Sequence, residues 1–424
     1  MQNLWAKIQL ALRDPILRKR LGFTVLALVV FRLLAAIPIP GVDAASLAKL
    51  LSSSQFFGFL NIFSGGGLSN LSIVMLGVGP FITASIIIQL LTMMFPKWKN
   101  LMHEEGDAGR MKLSQYSRLI GAPLAVIQAI GFLILLQSQN VLPSLSTFDF
   151  TTAVIVVTAG SILLMWVGEL ISEFGIGNGV SLIIFAGIVS SLPTKVTQLI
   201  AGYSPENIPL YIGALVVALA VIAGVVYVTE AERSVPVTYA KQVRGNKVYG
   251  GASTYLPLRL NQAGVIPIIF ALSILLFPQI ISNFLSHLTN YPTIASVASS
   301  FTTFFNNQWV YGTAYFVLVV IFTYFYTAIT FDPKMISENL QRSGAFIPGV
   351  RPGEHTQAHI GNIVTRITLV GALFLGIIAV LPLAMQAFTS NQSLAIGGTA
   401  LLIVVSVALD LLKKVDAQVA MREY

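Results

Sequence analysis

Ten apolar runs, each long enough or nearly long enough to cross a lipid bilayer, dominate this sequence of 424 residues. A transmembrane helix needs about 20 consecutive, mostly apolar residues. Hydrophobic residues make up 55% of the chain and charged residues only 10%, which is typical of polytopic membrane proteins. We therefore expect an all-α polytopic membrane protein whose ten transmembrane helices lie at about 21–37, 71–95, 119–137, 153–171, 179–192, 208–229, 263–286, 310–331, 363–383 and 393–412.

Lysine and arginine are distributed unequally over the segments between these runs. If the chain crosses the membrane ten times, 21 of its 25 basic residues fall on the side that holds both termini. Lys49 and Lys195 fall on the opposite side, while Arg32 and Arg366 lie in or at the edge of apolar runs. Because basic loops are retained in the cytosol, we predict that both termini are cytosolic.

The ten predicted helices divide into two sets of five, in an N-terminal half at 1–202 and a C-terminal half at 203–424. Because five is an odd number, the second set enters the membrane in the opposite orientation to the first. Two inverted halves typically surround a central site. This prediction rests on counting helices, since the halves show no visible similarity in sequence.

The segment at 61–71, which we call the glycine segment, contains Ser64 followed by three consecutive glycines at 65–67. Ordering three glycines costs backbone entropy, so they suit a segment that bends sharply or moves better than a plain membrane helix. One interpretation is a re-entrant turn that caps the next helix. The other is a mobile stopper that is hinged to a membrane helix and contributes little to the buried core.

Branched aliphatic side chains recur in the apolar run that follows. Val78, Ile82 and Ile86 are spaced four residues apart and therefore share one face of a helix. On a helix that faces lipid this pattern carries no information. It becomes informative only if that face points into the protein.

Two loops on the predicted cytosolic side are longer than a connection requires. The loop at 230–262 contains a partly alternating stretch around Gly245 and Asn246, which predicts a β-hairpin with a tight turn. The loop at 332–362 is expected to begin with a short helix and to continue with Pro/Gly turns that present Arg351. Basic loops can simply set topology and contact lipid head groups. Their length favours a docking surface for a cytosolic partner.

The residues indicate no catalytic centre. The sequence contains no GxxxxGK[ST] motif, so any nucleotide energy must come from a partner. His355 and His359 lack the glutamate of an HExxH motif, and the chain contains no cysteine. Arg32 and Glu169 lie close to the ends of their runs, where structural roles are at least as well supported as functional ones. We expect no enzyme activity, no metal and no cofactor.

Several long stretches closely resemble the bacterial SecY family, whose members form the central subunit of the protein-conducting translocation channel. They occur in the family's order and are FRLLAAIPIPGVDAASLAKLL, NIFSGGGLSNLSI, GPFITASIIIQLLT, GIGNGVSLIIFAGIV, STYLPLRLNQAGVIPIIFA, SGAFIPGVRPGEHT and TRITLVGALF. The resemblance extends from one end of the chain to the other. It implies a channel that passes unfolded polypeptides across the membrane and releases apolar segments sideways into lipid.

The resemblance also implies roles for individual residues. The family's hydrophobic pore ring falls on six positions, which we call the ring residues: Val78, Ile82, Val180, Ile184, Ile269 and Ile403. Two of them are valine where other members have isoleucine. The family's plug falls on the glycine segment, with Asn61, Ile62, Phe63, Ser64, Gly65, Gly66, Gly67 and Leu68.

Two further sets of residues follow from the same resemblance. The lateral gate, between the second and third spans on one side and the seventh and eighth on the other, contains Ile86, Gln89, Ile266 and Phe270. Partner docking falls on Lys241, Arg244, Lys247 and Arg351. The hairpin tip reads Gly-Asn-Lys at 245–247, where some relatives have a doubled basic pair.

The partners and location implied by the family are those of the bacterial secretion machinery. They include SecE-like and SecG-like membrane subunits, the SecA motor ATPase, the ribosome with its RNA, signal sequences, unfolded polypeptides and lipid. The expected location is the bacterial inner (plasma) membrane.

Two other classes remain as alternatives. A secondary transporter of a small solute would use the glycine segment as a broken helix at its binding site. Such a transporter needs polar ligands near the bilayer midplane, where this chain offers isoleucine and valine. A structural membrane anchor would leave both the glycine segment and the aliphatic residues unexplained.

Overall fold

The computed structural model describes most of the chain, and the statements below concern those residues only: 14–39, 61, 64–95, 98, 106–138, 141–143, 145–201, 208–240, 242–244, 247–249, 253–286, 292–389 and 392–420. Helices dominate this part of the chain. We number them α1 Pro15–Ala35, α2 Gly79–Met94, α3 Gly106–Ser138, α4 Thr147–Phe174, α5 Gly179–Ala201, α6 Ile208–Glu230, α7 Ile266–Ser286, α8 Pro292–Asn306, α9 Gln308–Thr330, α10 Pro333–Arg342, α11 Glu354–Thr389 and α12 Gln392–Ala420.

Each of the ten predicted apolar runs overlaps one of these helices. By length and composition alone, five described stretches can cross a membrane: Met111–Gln137, Thr147–Phe174, Tyr211–Glu230, Gln308–Arg342 and Glu354–Met385. Three shorter apolar helices cover Gly79–Thr92, Gly179–Pro193 and Ile266–Leu275. The other two runs fall on α1 and α12. The described structure therefore agrees with a multi-pass membrane protein.

The second predicted helix begins eight residues later than expected, at Gly79. Residues 71–78 form turns, because Leu71 and Gly77 adopt left-handed backbone angles with φ of 40° and 58°. Such angles interrupt a right-handed helix. Pro80 then lies in the first turn of α2, where its missing N–H costs nothing.

Two short helices flank α9. The sequence predicted α10 but gave no signal for α8, which is too short to span a membrane. The hydroxyl of Ser282 in α7 donates a buried 2.6 Å hydrogen bond to the carbonyl of Ala298 in α8. A cap from Asp332, whose carboxylate accepts from the Lys334 N–H at 2.8 Å, begins α10.

The two long loops contain a small sheet, so the all-α class predicted for the chain is incomplete. In the first loop, strands β1 (Glu232–Tyr239) and β4 (Ser253–Arg259) pair antiparallel. Beyond them, β2 (Gln242–Arg244) and β3 (Lys247–Tyr249) pair with Arg244 opposite Lys247. That register places a two-residue connection at 245–246, which confirms the predicted hairpin.

A strand from the second long loop joins this sheet. The strand order is β4-β1-β5, with β5 (Ala345–Phe346) antiparallel to the end of β1. Thr238 lies opposite Phe346, and the Ala240 N–H donates to the Gly344 carbonyl at 2.9 Å. One face of the sheet packs against the beginning of α11 through Val235, Val237, Leu258, Ile347 and Ile360. The two loops are therefore one structural unit.

Candidate functional site

The six ring residues lie in one apolar cluster, although they come from distant parts of the sequence. Val78 directly precedes α2 and Ile82 lies within it, Val180 and Ile184 belong to α5, Ile269 to α7 and Ile403 to α12. Five of them are at most 6% exposed, and Val180 is partly buried against the same cluster. The structure therefore brings the six side chains into one buried region. Whether they form the constriction of a pore stays a prediction.

The chemistry of this cluster is uniform. Branched aliphatic side chains offer no hydrogen bonds to water or to ions, so a narrow passage lined by them can close by dewetting. Their rotamers can shift at modest cost, which allows a passage to adapt to side chains of different size. Such a region can seal against ions without recognising any particular sequence.

The glycine segment is compact from Ser64 to Leu71. The N–H of Gly66 donates to the Asn61 carbonyl at 2.8 Å, and the N–H of Leu68 donates to the Ser64 hydroxyl at 3.0 Å. Gly65 and Gly66 have φ of 64° and 82°, which side chains rarely tolerate. A short 3-10 helix, Gly67–Asn70, completes the turn. The predicted plug residues Ile62 and Phe63 lie outside the described residues.

The C-terminal end of the glycine segment is hydrogen-bonded to the residues that follow α1. The Ile39 N–H donates to the Leu71 carbonyl at 2.9 Å, and the Ile73 N–H donates to the Ile37 carbonyl at 3.0 Å. Farther along, the hydroxyl of Ser161 in α4 donates to the Gly77 carbonyl at 2.8 Å. Hydrogen bonds therefore hold the end of the glycine segment against the residues that follow α1, and hold the turns at 73–77 against those residues and α4.

The expectation that the glycine segment contributes little buried core is wrong at two positions. Leu68 and Leu71 are each only 1% exposed. Both belong to a second apolar cluster that includes Leu133 and Leu136 of α3 and Val157 of α4. The glycines form the turn, and these leucines attach it to the N-terminal half.

The four residues predicted for the lateral gate lie on α2 and α7, two helices that pack against each other. Ile86 and Phe270 are buried, and Ile266 is partly buried. The Phe270 ring meets Phe322 of α9 edge to face, with centroids 6.1 Å apart. Gln89 of α2 has an Oε1 that is buried without a hydrogen-bond partner among the described residues. The assignment of a gate here stays a prediction.

Arg351 lies in the second long loop and is exposed. It stands between Gly349 and Gly353, whose φ values of 83° and 93° place both in the left-handed region that favours glycine. The hydroxyl of Thr356 donates to the Arg351 carbonyl at 2.9 Å, which fixes the backbone under the side chain. Lys241 and the side chains of Arg244 and Lys247 lie outside the description, so their docking role stays a prediction.

Sequence reasoning missed the residues that contact the glycine segment from the helices. Phe31 of α1 and Ile183 and Gly187 of α5 surround Gly65. A small residue within an apolar run is a sign of close packing between elements in membranes, and Gly187 carries that signal. The pattern does not reveal its partner. Glu169, flagged as an ionisable residue, forms a 2.5 Å ion pair with Arg118 of α3.

Comparison with known proteins bears on these observations. Residues 72–412 match the SecY family. The protein translocase subunit SecY of Thermus thermophilus is 43% identical and aligns over all of this chain and 97% of its own. That of Corynebacterium glutamicum is 41% identical over 98% of each chain.

Solved structures show the same fold at lower sequence identity. The structure of a protein-conducting channel matches with a TM-score of 0.65 and 20% identity, covering 95% of this chain and 92% of its own. Sec61 in the canine ribosome–channel complex matches with a TM-score of 0.63, 18% identity and the same coverage. At this level of sequence identity, these matches show the fold alone.

The fold is that of a multi-pass membrane channel protein. The similarity in sequence extends over nearly the whole length of the relatives, so the chain belongs to the SecY family. Its function is that of a protein translocase subunit, which moves polypeptides through a membrane channel. The alternative of a small-solute transporter finds no support in these similarities.

Proposed function

We propose that this chain forms the translocation pore itself. The pore is an aqueous path for unfolded polypeptides, and the ring residues form the constriction that closes this path at rest. Ten transmembrane helices in two inverted five-helix halves, 1–202 and 203–424, surround that path. The observation that carries the proposal is that all six ring residues, from the start of α2 and from α5, α7 and α12, belong to one apolar cluster. The glycine segment packs beside this cluster and serves as the plug.

The lateral exit lies between α2 and α7. A signal sequence or an apolar stretch of about 20 residues gains free energy by moving from water into lipid. The seam offers it apolar side chains such as Ile86 and Phe270.

The chain provides a path, and its partners provide the energy. The sheet formed by the two long loops, together with Arg351, is the docking surface for the SecA motor ATPase and for the ribosome and its RNA. A guanidinium makes bidentate contacts with a carboxylate or a phosphate, which suits both partners. SecE-like and SecG-like subunits complete the complex in the bacterial inner membrane, with both termini and both long loops in the cytosol.

The experiment that tests the proposed pore replaces Ile403 by asparagine. The amide lets water wet the constriction and weakens apolar contacts that keep the channel closed. In proteoliposomes with the motor ATPase, export of a substrate with a defective signal sequence should rise roughly tenfold, which corresponds to about 1.4 kcal/mol in favour of the open state.

The matched control is Ile377→Asn, because Ile377 of α11 is 58% exposed and lies away from the ring residues. It introduces the same amide without touching the cluster, so export of the defective substrate should stay at the wild-type level. Equal export by Ile403→Asn and Ile377→Asn, with both proteins folded, would remove the gating role from the ring residues.

A further inference from the structure

The backbone of Gly187 in α5 lies directly against the glycine segment. A methyl group built on Gly187 would overlap the Cα, carbonyl carbon and carbonyl oxygen of Gly65. On the other side of the segment, a methyl group built on Gly65 would lie 2.6 Å from Cζ of Phe31 and 3.3 Å from the carbonyl oxygen of Ile183. Gly65 therefore fits between α1 and α5 only because neither glycine has a side chain.

We propose that Gly187, with Ile183 and Phe31, forms the seat that holds the glycine segment in the closed channel. Gly187 thereby acts as a positioning residue for the plug. This inference rests on the proposed function, because it presumes that the segment seals the pore. The segment is retained by a backbone-to-backbone contact with α5. This contact lies one helical turn from Ile184, and the ring side chains do not themselves hold the segment.

The physical nature of the contact explains how such a seat can both hold and release. Dispersion attraction at a close contact falls steeply when a gap opens, and 0.5–1 Å already forfeits about a quarter to a half of it. Leu68 and Leu71 anchor the other end of the segment in the second apolar cluster. The glycine turn can thus leave α5 while the leucines stay in place.

The seat predicts an unusual effect for Gly187→Ala. Alanine is the better helix former, and the φ of Gly187 lies outside the left-handed region, so α5 itself gains stability. The new methyl group nevertheless forces the Gly65 backbone away. Overpacking of this kind corresponds to a roughly 5- to 150-fold shift of a two-state equilibrium. We therefore expect a folded protein whose plug is displaced.

The test measures resting ion conductance of the purified channel complex in planar bilayers. Gly187→Ala should raise conductance at least roughly fivefold over wild type, the lower bound of that shift. The matched control is Gly371→Ala in α11, where a new methyl group would also press on backbone, 2.7 Å from the Leu260 carbonyl oxygen, but far along the chain from the segment. A second control is Gly22→Ala, which has open space around it.

Both controls should leave conductance unchanged. An equal leak from Gly371→Ala would assign the effect to general loosening of the helices and overturn the seat. Unchanged conductance in folded Gly187→Ala would overturn it as well. Deletion of residues 61–67, which spares Leu68 and Leu71, separates the seat at Gly187 from the plug role of the segment. If the deletion leaks and Gly187→Ala does not, the seat is wrong and the plug stands; if neither leaks, the plug itself is wrong.

A cross-link supplies a readout that does not depend on Gly187→Ala folding. The chain has no cysteine, so Gly66→Cys with Ser190→Cys is a single engineered pair, and its reduced form is the control for the strain of a side chain at the left-handed φ of Gly66. A Cβ on Gly66 lies 3.8 Å from the Ser190 hydroxyl oxygen, within reach of a disulfide. With an added oxidant that accepts the two electrons, the bond should form in the resting channel and block motor-driven transport, and reduction should restore transport. Failure to form in the folded resting channel, or transport with the bond intact, would contradict the seat.

Discussion

The region around the ring residues and the sheet of the two long loops are held together by different forces. Around the ring residues, mainly apolar side chains from many helices pack into one buried cluster. In the sheet, β1 pairs with β4 over seven residue pairs and with β5 over two. Packing yields gradually when side chains shift, whereas a ladder of hydrogen bonds keeps its register. On the proposed function, we expect the first region to deform around a substrate and the second to transmit force from a partner.

Disruption of one strand should therefore detach the whole sheet. This change has the largest predicted effect on motor-driven transport. Val237 of β1 is 2% exposed and faces α11. In Val237→Asp the buried, unpaired charge costs several kcal/mol, so the sheet detaches. Motor-driven transport in proteoliposomes should fall at least roughly tenfold, since each 1.4 kcal/mol corresponds to a factor of ten. Resting ion conductance should not change.

Ser234→Asp is the control for this charge, because Ser234 lies on the same strand with its side chain exposed. We expect near wild-type transport from it. Raised resting ion conductance in Val237→Asp would contradict the distinction between the two regions, because it would show that loss of the sheet also opens the region around the ring residues.

The attachment of the glycine segment should show the opposite pattern. Leu68→Ala leaves a cavity in the second apolar cluster and should lower the free energy of unfolding by about 2–5 kcal/mol. Because the segment loses its anchor, resting conductance should rise while docking of the motor ATPase stays normal. Thermal unfolding and planar-bilayer recordings measure the two effects. Leu33→Ala, at a position that is 64% exposed, should change neither.

Arg351→Lys is the smallest of the three changes. Lysine keeps the charge attraction and loses only the second hydrogen bond of a bidentate contact, a net loss of ~0.5–1.5 kcal/mol. Motor-driven transport should fall roughly two- to tenfold, with a larger fall in Arg351→Glu. Arg342→Lys, in the same loop, should transport normally because Arg342 contacts Glu338 of its own helix. Full activity of Arg351→Lys would retire the bidentate contact and leave only the charge.

The same contrast explains what the sequence could and could not predict. Apolar runs located the membrane helices because helix formation depends on local composition, and the hairpin was predicted from Gly245 and Asn246 because turn chemistry is local. The pairing of β5 with β1 joins residues about 110 positions apart, which no local pattern reports.

At the site, the four-residue spacing of Val78 and Ile82 indicated a shared face but not what that face meets. The other ring residues came from resemblance to the SecY family. The seat at Gly187 escaped prediction because its meaning lies in the absence of a side chain beside a distant glycine. The early start predicted for α2 was wrong because an apolar run does not reveal the left-handed backbone angles at Leu71 and Gly77.

The most direct test of the account asks whether a polypeptide in transit meets the ring residues from all four helices. The cysteine-free chain allows single substitutions: Ile82→Cys, Ile184→Cys, Ile269→Cys and Ile403→Cys, with Ile377→Cys as the exposed control. Each is combined with a translocation intermediate that is stalled with one cysteine inside the channel. We predict disulfide formation with all four ring positions and none with Ile377→Cys. Cross-links restricted to one helix, or equal at Ile377→Cys, would contradict a pore closed by the ring residues.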